Sequence, residues 1–322
     1  MKNIAILMGG YSSEFEISLA SGNVVYDILK NNKKFNFYKI IISVDKWYHI
    51  DINNSIYDID KKNFTLIKNN KIIKFDLVFN TIHGIPGENG EIQMYLDKLK
   101  IPQTSSKKEV AKLTFNKNDC KNKLKKINII TPKSLLLNIK EKINIKNILD
   151  EIKMPFFIKP NKGGSSYGIS RIDKEKNIIN GLKKCFKEDD EALIEEEIIG
   201  KEISVGVVNY NNKVIALPPT EIISHNTFFD YKAKYKGESD EITPAHITKN
   251  EEIMIKKTSI EIYNFFKLSG CSRSDFILKN NIFYFLEVNT NPGLTKESIL
   301  PQQARAANID LYKLFNSLLK TW

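Results

Sequence analysis

Arginine is almost missing from this chain: it stands only at positions 171, 273 and 305, leaving 46 lysines among the 49 basic residues. The net charge of +11 would suit a nucleic-acid binder, because clustered cations neutralise phosphates and release counterions. Here, however, the lysines are spread along the whole chain among Asn and Ile. The residue that forks onto bases and phosphates is scarce, and no strip of interleaved aromatic and basic residues is present. A nucleic-acid partner is therefore not expected, and each arginine stands out as a planar fork placed for a purpose. Cysteine is scarce too. Cys120, Cys185 and Cys271 are odd in number, far apart and without CxxC spacing, which excludes a disulfide framework or a zinc site and leaves buried, inert thiols. No apolar run approaches the roughly 18 to 20 residues of a membrane span, and MKNIAILMGG reads as a first strand instead of a signal peptide. A cytoplasmic protein without membrane contact is expected. Two nucleotide signatures are also missing: neither a complete G-x-G-x-x-G nor a G-x-x-x-x-G-K-[ST] occurs.

What is present points to an α/β chain. With 322 residues and 42% apolar content, it can bury two or three domain cores. Lys2 to Met8 reads as a strand, Gly9-Gly10 as a turn, and Ser18 to Leu29 as a helix with apolar residues at helical spacing. Strands over Phe37 to Val44 and Leu77 to Asn80 and a helix over Glu91 to Leu99 complete a doubly wound unit. One lysine-rich helical stretch over Ser106 to Lys126 and another over Lys140 to Ile152 open a second unit. It continues with strands at Pro155 to Lys159, Ile169 to Asp173 and Ala192 to Glu196 around a helix over Lys174 to Lys187. A third unit carries strands at Ile203 to Tyr210 and Lys213 to Pro218, a long loop from Ser224 to Thr243, a helix over Asn250 to Leu268 and a hairpin over Ser274 to Asn289. The expected boundaries are 1–104, 105–197 and 198–322.

Three glycine-bearing stretches compete as an anion site. MGGYSSE at 8–14 and HGIPGENG at 83–90 each lie between a strand and a helix, where backbone N–H groups can meet an anion. The first lacks the third glycine of a dinucleotide fingerprint; the second reads equally as a capped turn. KPNKGGSSYG at 159–168 differs from a P-loop because its lysine precedes the glycines and the chain returns as the strand YGISRID. It is a hairpin tip that can fold over a polyphosphate, with Lys159 as a fixed charge in the strand. An ordinary Gly-Ser hairpin is the alternative.

Over a hundred residues later, SRSDFILKNNIFYFLEVNTNPG reads as two strands about a turn near Asn280-Asn281. That turn sets Asp275 opposite Leu286 and Glu287, and the two-residue period puts Glu287 and Asn289 on one face. The resulting oxygen cluster suits Mg²⁺ held together with nucleotide phosphates.

Together, GGYSSEFEISLASG, HGIPGENG, FIKPNKGGSSYG, FFDYKAKY, SRSDF and LEVNTNPGLTKESILP resemble the D-alanine–D-alanine ligases of the ATP-grasp superfamily, in that family's motif order from residue 4 to about 307. The resemblance implies an α+β ATP-grasp fold of three domains and a two-step reaction. The γ-phosphate of ATP passes to the carboxylate of one D-alanine, and the amine of a second attacks the acylphosphate. It implies ATP contacts from Lys117, Lys159, Ser166, Lys234 and the adenine hinge Glu195, Glu196 and Ile198, with Glu202 at the ribose. Two Mg²⁺ ions, replaceable by Mn²⁺, would sit on Asp275, Glu287 and Asn289. The substrate side would comprise Glu14 at the first ammonium group, His83 and Glu88 nearby, Arg273 at the transition state, and Ser298, Ile299 and Gly293 at the second carboxylate. Ser165 would link Glu14 to Tyr235. The same resemblance implies a homodimer, and the length of the Ser224 to Thr243 loop suits a lid that closes over ATP and the first D-alanine to exclude water. The intact FFDYKAKY favours D-alanine over D-lactate as second substrate, with a depsipeptide ligase or another ATP-grasp carboxylate–amine ligase as the alternatives. The chain departs from the family pattern at Phe228-Phe229 and at the serines flanking Arg273.

Overall fold

A computed structural model describes residues 1–224 and 239–320. Its three sheets follow from where apolar residues alternate and where they do not. In β1 (Lys2–Gly9) the residues from Ile4 onward are all buried, so the strand is covered on both faces. It runs parallel between β2 (Phe35–Ile42) and β7 (Leu77–Asn80), as a central strand of a doubly wound sheet should. The helix α1 (Phe15–Leu29) starts earlier than its apolar period suggests and packs on β1 so closely that a Cβ on Gly22 would lie 2.7 Å from Met8.

Residues 45–76, which carry no clear element in the sequence, form four short antiparallel strands: β3 (Trp47–Ile50), β4 (Ile56–Asp60), β5 (Thr65–Lys68) and β6 (Lys71–Lys74). They extend the first sheet to the order β6-β5-β4-β3-β2-β1-β7. The signal for β5-β6 is Asn69-Asn70, both left-handed (φ 52° and 57°), a two-residue turn that closes a hairpin. The same Asn-Asn device returns at 211–212 and 280–281.

The second sheet has the order β10-β9-β11-β8, from β8 (Ser134–Asn138), β9 (Phe156–Pro160), β10 (Ser170–Ile172) and β11 (Glu191–Glu196). Phe156, Ile158, Ala192 and Ile194 face a core with Ile148 of α5 (Ile145–Glu151) and Leu182 of α6 (Ile178–Cys185). By the two-residue period, Phe157, Lys159, Leu193 and Glu195 point to the opposite face. In the third sheet, β12 (Lys201–Tyr210), β14 (Thr220–Ser224), β15 (Ser239–Ile242), β16 (Cys271–Lys279) and β17 (Ile282–Asn289) run in the order β15-β14-β12-β16-β17, with β13 (Lys213–Ala216) on β12. Ile203, Val205, Val207, Phe276 and Phe285 pack beneath α7 (Lys249–Phe266). Glu202, Ser204, Arg273 and Asp275 lie on the other side, in register.

The sequence reading differs from the fold in four further places. The lysine-rich stretch is two helices, α3 (Lys108–Phe115) and α4 (Lys117–Leu124). They separate at Asn116, which adopts an extended conformation and caps α4 by accepting a bond from Asp119 N. The helix expected from Lys140 begins at Ile145, after β8 and a turn. The expected loop from 224 to 243 ends in β15, which pairs with β14; its residues 225–238 lie outside the described part. Finally, α2 (Glu91–Lys98) is as expected, but α8 (Ile299–Ala306) and α9 (Leu311–Lys320) were not foreseen.

These last helices tie the ends of the chain together. Leu300, Ala304, Leu314, Phe315 and Leu318 share a core with Ile4, Ile6, Met8 and Phe79, and with Val208 and Cys271 of the third sheet. Phe315 is fully buried and meets Phe79 edge to face, with ring centroids 5.9 Å apart. All three cysteines are buried, and burial pushes each thiol up to about 12. Among the described residues no helix is long and apolar enough to cross a membrane. Phe315→Ala should destabilise the protein by roughly 3–5 kcal/mol, measured by denaturant unfolding; a loss below about 1 kcal/mol would mean that α9 does not share the first core.

Candidate active site

The polar faces of the second and third sheets confront each other, and two cavities open along the cleft. One, of about 500 Å³, is lined by Glu14, His83, Glu88, Ser165, Asn289, Gly293, Ser298 and Ile299 among others. The other, of about 560 Å³, is lined by Phe157, Lys159, Ser166, Glu195, Glu196, Ile198, Glu202 and Asp275 among others. Lys117, Arg273 and Glu287 line both and form the wall between them. Every site residue named from the sequence therefore lies on one or both cavities, except Lys234 and Tyr235, which fall outside the described residues.

The hairpin tip divides its two serines. Ser165 and Ser166 are both left-handed (φ 48° and 59°), an uncommon backbone for non-glycine residues, and they line different cavities. Ser165 Oγ donates to Glu14 Oε1 at 2.5 Å, joining the second unit to the first. Gly164 belongs to the same contact, since a Cβ there would stand 2.8 Å from both Glu14 oxygens.

Behind Glu14, His83 and Glu88 are buried and join first-unit backbone to the end of β17. Glu88 accepts from Gly84 N at 2.7 Å and from Asn291 N at 3.2 Å. The His83 ring contacts Asn291 O at 2.8 Å and Ser21 Oγ at 3.1 Å. Burial, then the charge of Glu14, pushes the Glu88 carboxyl up to about 8 against those two N–H bonds. Burial pulls the His83 imidazole below its ordinary value, with Glu14 opposing it.

At the shared wall, β16 and β17 set Asp275 opposite Glu287 and Arg273 opposite Asn289, with a bulge after Asp275. Asp275 accepts from Ser204 Oγ at 2.5 Å and takes the Arg273 fork at 3.0 and 2.8 Å. Two carboxylates and an amide oxygen form a hard donor set open to the cleft, of the kind that holds a divalent cation together with phosphates. Among the described residues no group of three or more His, Cys, Asp and Glu is placed to hold a metal ion.

Lys117 is the first residue of α4 and reaches the same wall. Its Nζ donates to Gly163 O at 2.6 Å and lies 3.3 Å from Glu287 Oε2. This placement depends on Asn161 at the hairpin root, which is fully buried. Asn161 O accepts from Lys117 N, its side-chain oxygen accepts from Asn118 N, and its amide donates to Asn116. One turn deeper on α4, Lys121 is 1% exposed and contacts Glu195 Oε2, while Lys159 Nζ donates to Glu195 Oε1 at 2.5 Å. Burial, and then the charge of Lys159, pulls the Lys121 ammonium well below the ordinary lysine range; the touching Glu195 carboxylate favours its protonated form. Burial likewise brings Lys159 down to about 8, with Glu287 opposing.

Asn161, Lys121, Ser204 and Gln303 were not singled out in the sequence. Gln303, fully buried on α8, accepts from Gly206 N and donates to Ser204 O and Thr220 Oγ1, locking β12 in place. A Gln in a helix of apolar period is the one signal that could have marked it. For the lysine cluster, a ¹³C-lysine NMR titration should show an apparent pKa near 8 that belongs to the group and shifts in Lys159→Arg. If every lysine titrates above pH 10, burial does not govern these amines.

The family model described as D-ala D-ala ligase N-terminus matches residues 3–106, and that described as D-ala D-ala ligase C-terminus matches 124–320. The chain is 47% identical over 320 residues to a D-alanine–D-alanine ligase of Flavobacterium johnsoniae, covering 99% of both. It is also 47% identical over 319 residues to the Christiangramia forsetii ligase, covering 99% of this chain and 98% of that one. The structure of VanG D-Ala:D-Ser ligase from Enterococcus faecalis is similar at a TM-score of 0.87 and 29% identity, covering 99% and 98%. The ATP complex of the Bacillus anthracis D-alanine–D-alanine ligase is similar at 0.79 and 28%, covering 100% and 97%.

Proposed function

This chain belongs to the D-alanine–D-alanine ligase family, and from that premise we infer that the two cavities receive D-alanine and ATP, with the reaction at the wall they share. The protein is an ATP-dependent ligase that joins two D-alanine molecules into the dipeptide of peptidoglycan precursors, through an ATP-grasp fold. Its ATP chemistry uses a divalent metal, as is general in the family. The observation that carries the residue assignment is the common lining of the two cavities by Lys117, Arg273 and Glu287.

In this reading ATP occupies the larger cavity. Its adenine lies along the Glu195 to Ile198 edge, its ribose at Glu202, and its phosphates between Lys117, Lys159 and Ser166, with Lys234 from residues outside the described part. Asp275, Glu287 and Asn289 would hold two Mg²⁺ ions, replaceable by Mn²⁺, which when bound would supply positive charge against the phosphates. The first D-alanine places its ammonium at Glu14, which Ser165 holds in position, with Tyr235 completing that network and His83 and Glu88 behind. A carboxylate oxygen of this D-alanine then forms a bond to the γ-phosphorus, and the bond to the ADP oxygen breaks. The amine of the second D-alanine, whose carboxylate rests at Ser298, Ile299 and Gly293, attacks the acyl carbon. The C–O bond to phosphate breaks and the amine gives up a proton. Arg273 lies on both cavities, where its fork meets the oxyanion of that tetrahedral state. A homodimer and a cytoplasmic location complete the proposal.

Phosphate release with MgATP should require D-alanine; L-alanine, D-lactate and D-serine are the comparison, D-serine because one similar structure is a D-Ala:D-Ser ligase. Release indifferent to D-alanine would overturn the reading. Arg273→Lys should lower kcat by roughly a hundredfold while ATP affinity changes little, and an effect confined to ATP affinity would remove Arg273 from the transition state.

A further inference from the structure

Lys121 lines neither cavity, yet it is more buried than the charged groups on the cavity walls, at 1% exposure. It stands four residues after Lys117 on α4, so both side chains leave the same helix face. Lys117 ends at the shared wall; Lys121 ends beneath the nucleotide cavity, on Glu195. Lys121 Nζ and Glu195 Oε2 touch each other in the buried floor of the site. The other carboxylate oxygen, Oε1, is taken by Lys159, which does line the nucleotide cavity. One buried carboxylate is thus shared by an amine that faces the ligand and an amine that cannot reach it.

This arrangement creates a competition. Lys159 has two anions to choose between, Glu195 beside it and the phosphates of an incoming nucleotide. A buried carboxylate left without a partner is strongly unfavourable, so Lys159 can turn to a phosphate only if Glu195 keeps another donor. We propose that Lys121 is that donor: a positioning residue that holds Glu195 from below, so that Lys159 is released to the nucleotide phosphates. The geometry of the strands supports the division of labour. Leu193 pairs with Lys159 and Glu195 with Phe157, so the carboxylate sits one step along the same sheet face from the lysine. There a short swing of Lys159 separates them without moving the backbone. Lys121 enters from α4, whose start is fastened to the hairpin root through Asn161, and it keeps its hold whichever way Lys159 points.

This inference rests on the larger cavity being the nucleotide site, and the test separates the two. Binding of the β,γ-imido analogue of ATP with Mg²⁺ is measured by isothermal titration calorimetry on the full chain, for wild type, Lys121→Met, Lys121→Gln, Glu195→Gln and the double variant Lys121→Met/Glu195→Gln. Thermal unfolding of each identifies the folded variants. Lys121→Met should weaken the analogue by at least about tenfold, roughly one broken charge-assisted contact. Lys121→Gln, which keeps one donor to Oε2, should weaken it less. The decisive outcome is the double variant: with the carboxylate neutralised, Lys159 has nothing to hold it back, so the double variant should bind as well as Glu195→Gln alone. In steady state, KM for ATP should rise in Lys121→Met while KM for D-alanine moves less than about twofold. A Lys121→Met protein that binds like wild type, or losses that multiply in the double variant, would overturn the inference; if Lys121→Met does not fold, Lys121→Gln and the double variant decide the same question. Wild type that binds no nucleotide would instead count against the site reading itself.

Discussion

Two sheets that each alternate apolar and polar residues, with helices closing a core on the apolar side, set everything else in this molecule. On β9 and β11 the period buries Phe156, Ile158, Ala192 and Ile194 and leaves Lys159 and Glu195 on the other face. On β12 and β16 it buries Ile203, Val205, Val207 and Phe276 and leaves Glu202, Ser204, Arg273 and Asp275 in register across neighbouring strands. A one-residue slip in any of these strands would send its charged residues into a core. The apolar faces therefore specify the cleft as strictly as its own hydrogen bonds do.

Charges confined to such a cleft must satisfy one another until a ligand arrives. Glu195 is held by Lys121 and Lys159, Glu287 by Lys117, Asp275 by Arg273 and Ser204, and Glu14 by Ser165. Each pair combines a group assigned to substrate, nucleotide or metal with a neighbour that neutralises or orients it. A ligand that draws one partner away then leaves the other in place, so a buried charge in this cluster need not stand bare. Glu14 and Glu88 show the limit of that scheme: burial first, and then the charge of Glu14 in the same corner, drives the pKa of Glu88 up.

Much of the site could be read from the chain because its chemistry is concentrated in motifs. Lys159 in the strand before the glycine tip, the Asn280-Asn281 turn that fixes Asp275 against Glu287, and the rarity of arginine that set Arg273 apart each carried a physical reason, and these residues meet at the cleft. The elements missed share a different cause. The strands β3 to β6 are four or five residues long, too short for periodicity, although Asn69-Asn70 marked one of their turns. The helices α8 and α9 follow a motif that drew the reading toward function at Ser298 and Ile299. The break at Asn116 looked like one more residue in a lysine-rich run, because its cap is visible only when Asp119 folds back to it.

The sequence by itself determined the strand faces, the hairpin turns, the order of the motifs and the kinds of chemistry they can perform, since these depend on neighbours within a few residues. The family resemblance marks Lys117 and the hairpin motif marks Lys159, but only the tertiary structure decided what Lys117 reaches and that Lys121 matters at all. Locally Lys117 and Lys121 are chemically the same as the other 44 lysines in the chain. They become distinct because a capped helix start, fastened to Asn161, aims one at the wall between two cavities and buries the other on Glu195. Such selection arises from contacts across 40 to 80 residues of chain, where packing and desolvation act and sequence spacing has no influence.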